Sequence, residues 1–306
     1  MNSIPFKLRV PLLELSIDLD QSVINYDLEA ARRHGQYYTD PIIAATCLTT
    51  VSNYFDTKRM LLVEPSAGDG SFSDRMQPGS IAMDIDPHGD GILKQDFLNY
   101  TIKSNSEIGF IGNPPYGWRS QKALDFINRA ALCATFIAFI LPRTFRKAET
   151  QAKIDSSFHL IHDEVLPDHA FLFCGRPYDV PATFQIWERR PYPRELPSGE
   201  TEHPDFVFTK RERADFGMQR VGANAGRIHY NFDLSESSHF FILGKVQHRM
   251  RQLDLARVAA NTAGNPSISK SEIVRLYSEL TGRPPTKARS KAREAAIMGT
   301  LKRKVS

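Results

Sequence analysis

Short apolar runs, each stopped by a carboxylate, glycine or proline, recur through the first two thirds of the chain. Leu61-Leu62-Val63 runs into Glu64, Ile81-Ala82-Met83 into Asp84, and Ile108-Gly109-Phe110-Ile111 into Gly112-Asn113-Pro114. Runs of this length bounded by turn residues read as buried strands, here near 60–64, 80–84 and 107–111. Thr135 to Leu141 is a longer run of the same kind, ended by Pro142. Helices fit between the runs. Asp40 is placed to cap a helix that opens on Pro41 and reaches about Tyr54. Ser120 is placed to cap another that reaches about Ala134. Strands alternating with helices predict an α/β protein with a parallel sheet. His159 to Leu166 and Ala182 to Trp187 read as two more strands, joined by an aromatic-rich loop containing Gly175 and Pro177.

The pattern changes after residue 190. Pro191 to Pro204 holds four prolines and little apolar material, which predicts a linker. Beyond it, the apolar stretches Phe206-Val207-Phe208 and His239 to Leu243 flank a glycine-rich turn, Arg220 to Arg227. This predicts a small α+β module over 205–280, whose turn arginines are placed either to meet a phosphate backbone or simply to be solvated. The expected organisation is a sheet domain over 1–190, a linker over 191–204, the module over 205–280 and a basic tail over 281–306.

Composition refines this picture. Of 306 residues 41% are hydrophobic, enough for a sizeable core, and the formal charge is +4. The charge is uneven: Thr281 to Ser306 carries eight Lys/Arg against Glu294, a balance of +7, which leaves −3 for the rest. Such a tail can neutralise phosphates or remain solvated, and contact with nucleic acid is the expectation kept. Cys47, Cys133 and Cys174 lie far apart, and the nine histidines show no ligand spacing, so neither disulfides nor a metal site is expected and the thiols are read as reduced and buried. No leader-like or membrane-length apolar run is present, which predicts a cytoplasmic protein with no membrane partner.

The chemistry sits at the strand ends, where open α/β sheets bind ligands. Gly68 and Gly70 follow Glu64-Pro65-Ser66-Ala67 and permit close backbone approach, and Asp84 ends the second strand, placed to accept from a ribose diol. Asp86 is a weaker candidate. The spacing is neither Gly-x-Gly-x-x-Gly nor a triphosphate loop, which points to a nucleoside without phosphates. Asp96 can accept from an adenine amine and Phe97 can cover the ring, although Asp96 is equally suited to begin a turn. Asn113-Pro114-Pro115-Tyr116 is stiffened by two prolines; the Asn113 side-chain oxygen and the Pro114 carbonyl can accept both hydrogens of a planar amine, with Tyr116 as a stacking face. The plain alternative is a proline-rich turn.

Taken in order, these segments resemble the motifs of amino-methyltransferases that use S-adenosylmethionine, in the arrangement of the γ-class DNA adenine-N6 methyltransferases. Gly35 to Pro41 resembles the motif that contacts the methionine end of the cofactor, which implies Tyr38, Thr39 and Pro41. Glu64 to Phe72 resembles the cofactor loop, Asp84 with Ile85 the ribose-binding position, Asp96-Phe97 the adenine-binding pair, and Asn113 to Tyr116 the catalytic motif. The resemblance covers about 35–190. It implies a Rossmann-like methyltransferase sheet, mostly parallel with the last strand antiparallel. It also implies methyl transfer from S-adenosylmethionine to adenine N6 of a flipped-out base, most directly in double-stranded DNA, with Phe184 or Phe173 backing the base opposite Tyr116. The same pocket would serve cytosine N4, an adenine in RNA or a protein glutamine amide. A restriction endonuclease partner leaves no mark in these residues.

Overall fold

A computed structural model describes residues 37–286, except 174, 197, 198 and 263. Gly35, Gln36, Cys174 and the basic tail from Lys287 onward, all singled out above, lie outside the described residues. In chain order the elements are β1 (Tyr38–Thr39), α1 (Pro41–Ser52), β2 (Leu61–Glu64), β3 (Ile81–Asp84), β4 (Leu93–Lys94), β5 (Ile108–Gly112), α2 (Gln121–Ala130) and β6 (Phe136–Pro142). They continue with α3 (Ala148–Gln151), β7 (Phe158–Val165), β8 (Phe171–Phe173), β9 (Arg176–Tyr178) and β10 (Ala182–Arg189). The C-terminal part holds β11 (Val207–Thr209), β12 (Phe216–Gln219), β13 (Ile228–His229), β14 (His239–Leu243), α4 (Gln247–Met250), α5 (Leu255–Ala259) and α6 (Lys270–Thr281).

Seven strands form the central sheet in the order β4-β3-β2-β5-β6-β10-β7. The pairs from β4 to β6 are parallel, and β10 runs antiparallel to both of its neighbours. β6 is apolar at every position because both its faces are covered, as strands of such sheets require. Ile137, Phe139 and Leu141 pack with α2, whereas Phe136, Ala138 and Ile140 pack with α1. Asp40 caps α1 by accepting from the Ile42 amide at 2.7 Å.

Several expectations change. Ser120 does not cap α2; its φ is 63°, and its hydroxyl shares a 2.8 Å hydrogen bond with Thr144 Oγ1. α2 also stops at Ala130 rather than Ala134. The loop between β7 and β10 supplies β8 and β9 to a second small sheet, β1-β8-β9, in which Tyr38 pairs with Leu172 and Thr39 with Phe171. Cys47 is buried, but Cys133 is exposed just beyond α2.

The C-terminal sheet has the order β11-β14-β12-β13 and shares a third apolar core with α5 and α6. Arg194 holds the proline-rich stretch against the central sheet by donating to the carbonyls of Gln151, Ile154, Asp155 and Phe158. Lys147 Nζ lies 3.3 Å from Glu272 and donates to Ser267 O at 2.9 Å, joining the central-sheet part to the C-terminal part. Among the described residues no helix is long and apolar enough to cross a membrane, and no three metal-ligating side chains cluster.

Candidate functional site

A cleft of about 680 Å³ opens at the carboxyl ends of β2, β3 and β5. β2 delivers Glu64 into it. Burial pushes this carboxyl well above the usual carboxylate range, reinforced by Asp69 and Asp84, and Oε2 has no partner. Gly112 packs against it: at φ 149° it approaches so closely that a Cβ would stand 3.2 Å from Glu64 Cγ.

The bend after β2 turns on Gly68, at φ 54°, where a Cβ would meet Tyr38 Cε1 at 2.9 Å. Its amide donates to Asp84 Oδ2 at 2.8 Å, while the Asp86 amide donates to Oδ1 at 2.9 Å. The carboxylate at the end of β3 is thereby held at the mouth of the bend. Asp96 accepts from the Leu98 amide at 3.0 Å and from Asn99 Nδ2 at 2.6 Å, so it does begin a turn, and it lines the cleft as well. Phe97 packs on Phe110 and Phe126 with ring centroids 5.5 and 5.4 Å apart.

Asn113 follows β5. Its Nδ2 donates to Tyr37 O at 2.9 Å, its carbonyl accepts from Ser66 Oγ at 3.1 Å, and Oδ1 is buried with no partner. The carbonyl facing Nδ2 fixes which way the amide points. Thr39 Oγ1 and the Tyr116 hydroxyl are likewise buried and unpartnered, and burial raises the Tyr116 pKa. Buried polar atoms are nearly always satisfied, and of these orphans those on Thr39, Glu64 and Asn113 belong to residues lining the cleft, where a bound group can complete the bonding.

The cleft brings together Tyr38, Thr39, Glu64, Pro65, Ser66, Ala67, Gly68, Asp84, Ile85, Asp96, Phe97, Asn113 and Pro115. Pro41 starts α1, Gly70 shapes the bend, and Pro114 is buried, all outside the lining. Tyr116 is half-buried and packs into the α1-side core. Phe184 cannot back a base: on β10 it is 1% exposed, within the core. Phe173 is tilted against Tyr178 at 6.1 Å, also outside the lining. Residues not anticipated include Tyr37, Gln95, Lys122 and Phe126. Tyr37 had a signal, being adjacent to Tyr38 in a segment already singled out; Lys122 and Phe126 had none, since they reach the cleft only through the placement of α2.

Strand order, glycine bend and terminal carboxylates together define a Rossmann-like open α/β sheet, mostly parallel, with its cleft at the carboxyl ends of the strands. No family model and no curated protein matches the chain. Among solved structures, it is similar to a Listeria monocytogenes protein assigned to the class I S-adenosylmethionine-dependent methyltransferases, at 13% identity and TM-score 0.40, over 58% of this chain and 69% of that one. It is also similar to the magnesium protoporphyrin IX methyltransferase of Synechocystis with bound S-adenosylmethionine, at 12% identity and TM-score 0.36, over 55% and 84% of the two chains. The 23S rRNA methyltransferase ErmE gives 17% identity and TM-score 0.34, over 51% and 71%. At these scores the likeness says nothing of what this chain binds or modifies.

Proposed function

We propose that the chain is an S-adenosylmethionine-dependent methyltransferase that modifies adenine N6 of a flipped-out base in double-stranded DNA. The observation that carries this reading is Asn113 Oδ1, buried and unpartnered at the end of β5, on a side chain whose nitrogen is already anchored to Tyr37. An acceptor kept in that state suits an incoming N–H. The residues around the cleft also fit the cofactor: Asp84 for a ribose diol, Gly68 for close approach, Phe97 beside Asp96 for a purine, and Glu64 Oε2 for an ammonium group.

When bound, that cofactor supplies a methyl group activated on a sulfonium. Adenine N6 is a poor nucleophile because its lone pair is delocalised into the ring. Accepting its hydrogens at Asn113 Oδ1 and the Pro114 carbonyl favours a pyramidal nitrogen and stabilises the positive charge that develops on it. The nitrogen's surplus proton is then acidic, so no strong base has to act first. Tyr116 supplies the proposed stacking face. Residues 205–280 are the proposed target-recognition module, and the basic tail adds sequence-independent affinity.

The test supplies labelled S-adenosylmethionine with unmethylated duplex DNA, total RNA and a protein extract, followed by nucleoside analysis. Label in N6-methyladenine of DNA is the expected result. Asn113→Ala is expected to abolish turnover while cofactor affinity stays within about two-fold; loss of cofactor binding would make the motif structural. Label in RNA or protein alone would overturn the substrate.

A further inference from the structure

Directly behind Asn113-Pro114-Pro115-Tyr116 the backbone is strained. Arg119 (φ 51°, ψ 34°) and Ser120 (φ 63°, ψ 18°) are consecutive non-glycine residues in the left-handed region. Only His169 shares that sign of φ among the other described non-glycine residues. Such conformations persist where surroundings over-determine them, and they cluster at ligand-contacting sites. Here the hydrogen bond between buried Ser120 and Thr144 Oγ1 pins the turn to the loop after β6. The same loop carries Arg143, whose Nε is buried without a partner.

The turn presents Trp118 to solvent. At 82% exposure it is the most exposed large apolar side chain among the described residues, whereas the other tryptophan, Trp187, is fully buried. The Arg119 guanidinium carbon stands 5.6 Å from the centroid of the Trp118 ring. Lys122, a few residues on, lines the cleft. A flat exposed ring with a guanidinium over part of it, on the turn that follows the proposed catalytic motif, matches the requirements of a base and its phosphate: stacking for one and positive charge for the other.

We infer that Trp118 is a stacking platform for an unpaired base next to the target nucleotide, with Arg119 holding the adjoining phosphate. The inference rests on the reading of this cleft as a nucleic-acid methyltransferase site. Extruding a base costs stacking on its neighbour, and an exposed aromatic on the turn that follows the proposed catalytic motif replaces what the neighbour loses. Arg119 covers one part of the ring, so a base stacks on what is left open.

The intrinsic fluorescence of the full-length chain reads this directly, because Trp118 is exposed and Trp187 is not. Titration with a single-stranded 12-mer of mixed sequence, and with the same sequence as a duplex carrying one mismatch, is expected to quench the exposed emission saturably. Trp118→Ala is expected to lose that quenching and to weaken oligonucleotide binding about 5- to 150-fold, the range that base–aromatic stacking spans. Trp118→Phe is expected to recover part of the affinity, Arg119→Gln to flatten its salt dependence, and both to leave cofactor affinity unchanged. If methyl transfer to nucleic acid proceeds but Trp118→Ala changes neither affinity nor KM by more than two-fold, the platform is overturned while the methyltransferase reading stands. If no nucleic acid is methylated and none quenches the emission, both fall. If a protein is the acceptor and Trp118→Ala weakens its binding, the surface is a protein interface and the inference is overturned.

Discussion

Glu64 shows how one side chain can be set by its neighbours rather than by its own chemistry. Its raised pKa follows from burial beneath Gly112. Below about pH 4.3 both folded and unfolded chains hold the proton. Above it the unfolded chain releases the proton and the folded chain keeps it, so stability falls as pH rises until the folded-state pKa is passed. Glu64→Gln removes that slope. Its stability relative to the parent, measured by denaturant unfolding without cofactor, is expected to improve steadily with pH; parallel curves for the two proteins would show the carboxyl to be ionised in the fold. Gly68 is set by space instead. Gly68→Ala forces an unfavourable φ and crowds Tyr38, and it is expected to weaken S-adenosylmethionine binding at least ten-fold by calorimetry.

Among the elements, β5 and β6 are tightly fitted. Gly109 sits opposite Phe136 in the parallel register, and a Cβ there would collide with that ring. Gly109→Ala is expected to cost about 1–3 kcal/mol or more of stability, because Phe136 is itself buried and has no room to withdraw. Thermal unfolding measures it, and an unchanged midpoint would mean that the sheet yields. β6 was readable as an apolar run because both faces of the sheet are covered. β8 and β9 were not. Each has three residues, and Gly175 and Pro177 read as loop signals; the pairing of β8 with β1 joins residues more than a hundred positions apart, which no local pattern encodes.

Across the whole molecule, the C-terminal part meets the central-sheet part through a charge pair with little access to water. Glu272 completes the capping box of α6 and faces Lys147 from the other part. Lys147→Met strands that carboxylate and is expected to cost about 3–5 kcal/mol, with Glu272→Gln in the same background restoring much of it. An additive double variant would mean the pair does not couple the two parts. The charge asymmetry belongs to this scale too. Arg283, counted with the basic tail, is paired with Asp205, so the phosphate contacts expected of the tail fall to the seven Lys/Arg from Lys287 onward. Deleting residues 287–306 is expected to flatten the salt dependence of DNA affinity and leave turnover on short oligonucleotides intact.

The alternation of apolar runs with helical segments sufficed to assign the α/β sheet, and the residues that stop those runs, Glu64, Asp84 and Asn113, were sufficient to locate the cleft. Both are local signals: strand length, turn chemistry and the carboxylate at a strand end are written within a few consecutive residues. The fold alone placed Phe184 inside the core, turned Tyr37 into the anchor of Asn113, brought Lys122 to the cleft and presented Trp118 to solvent. Those outcomes depend on which face of an element meets which neighbour, and that is decided by packing between residues far apart in the chain.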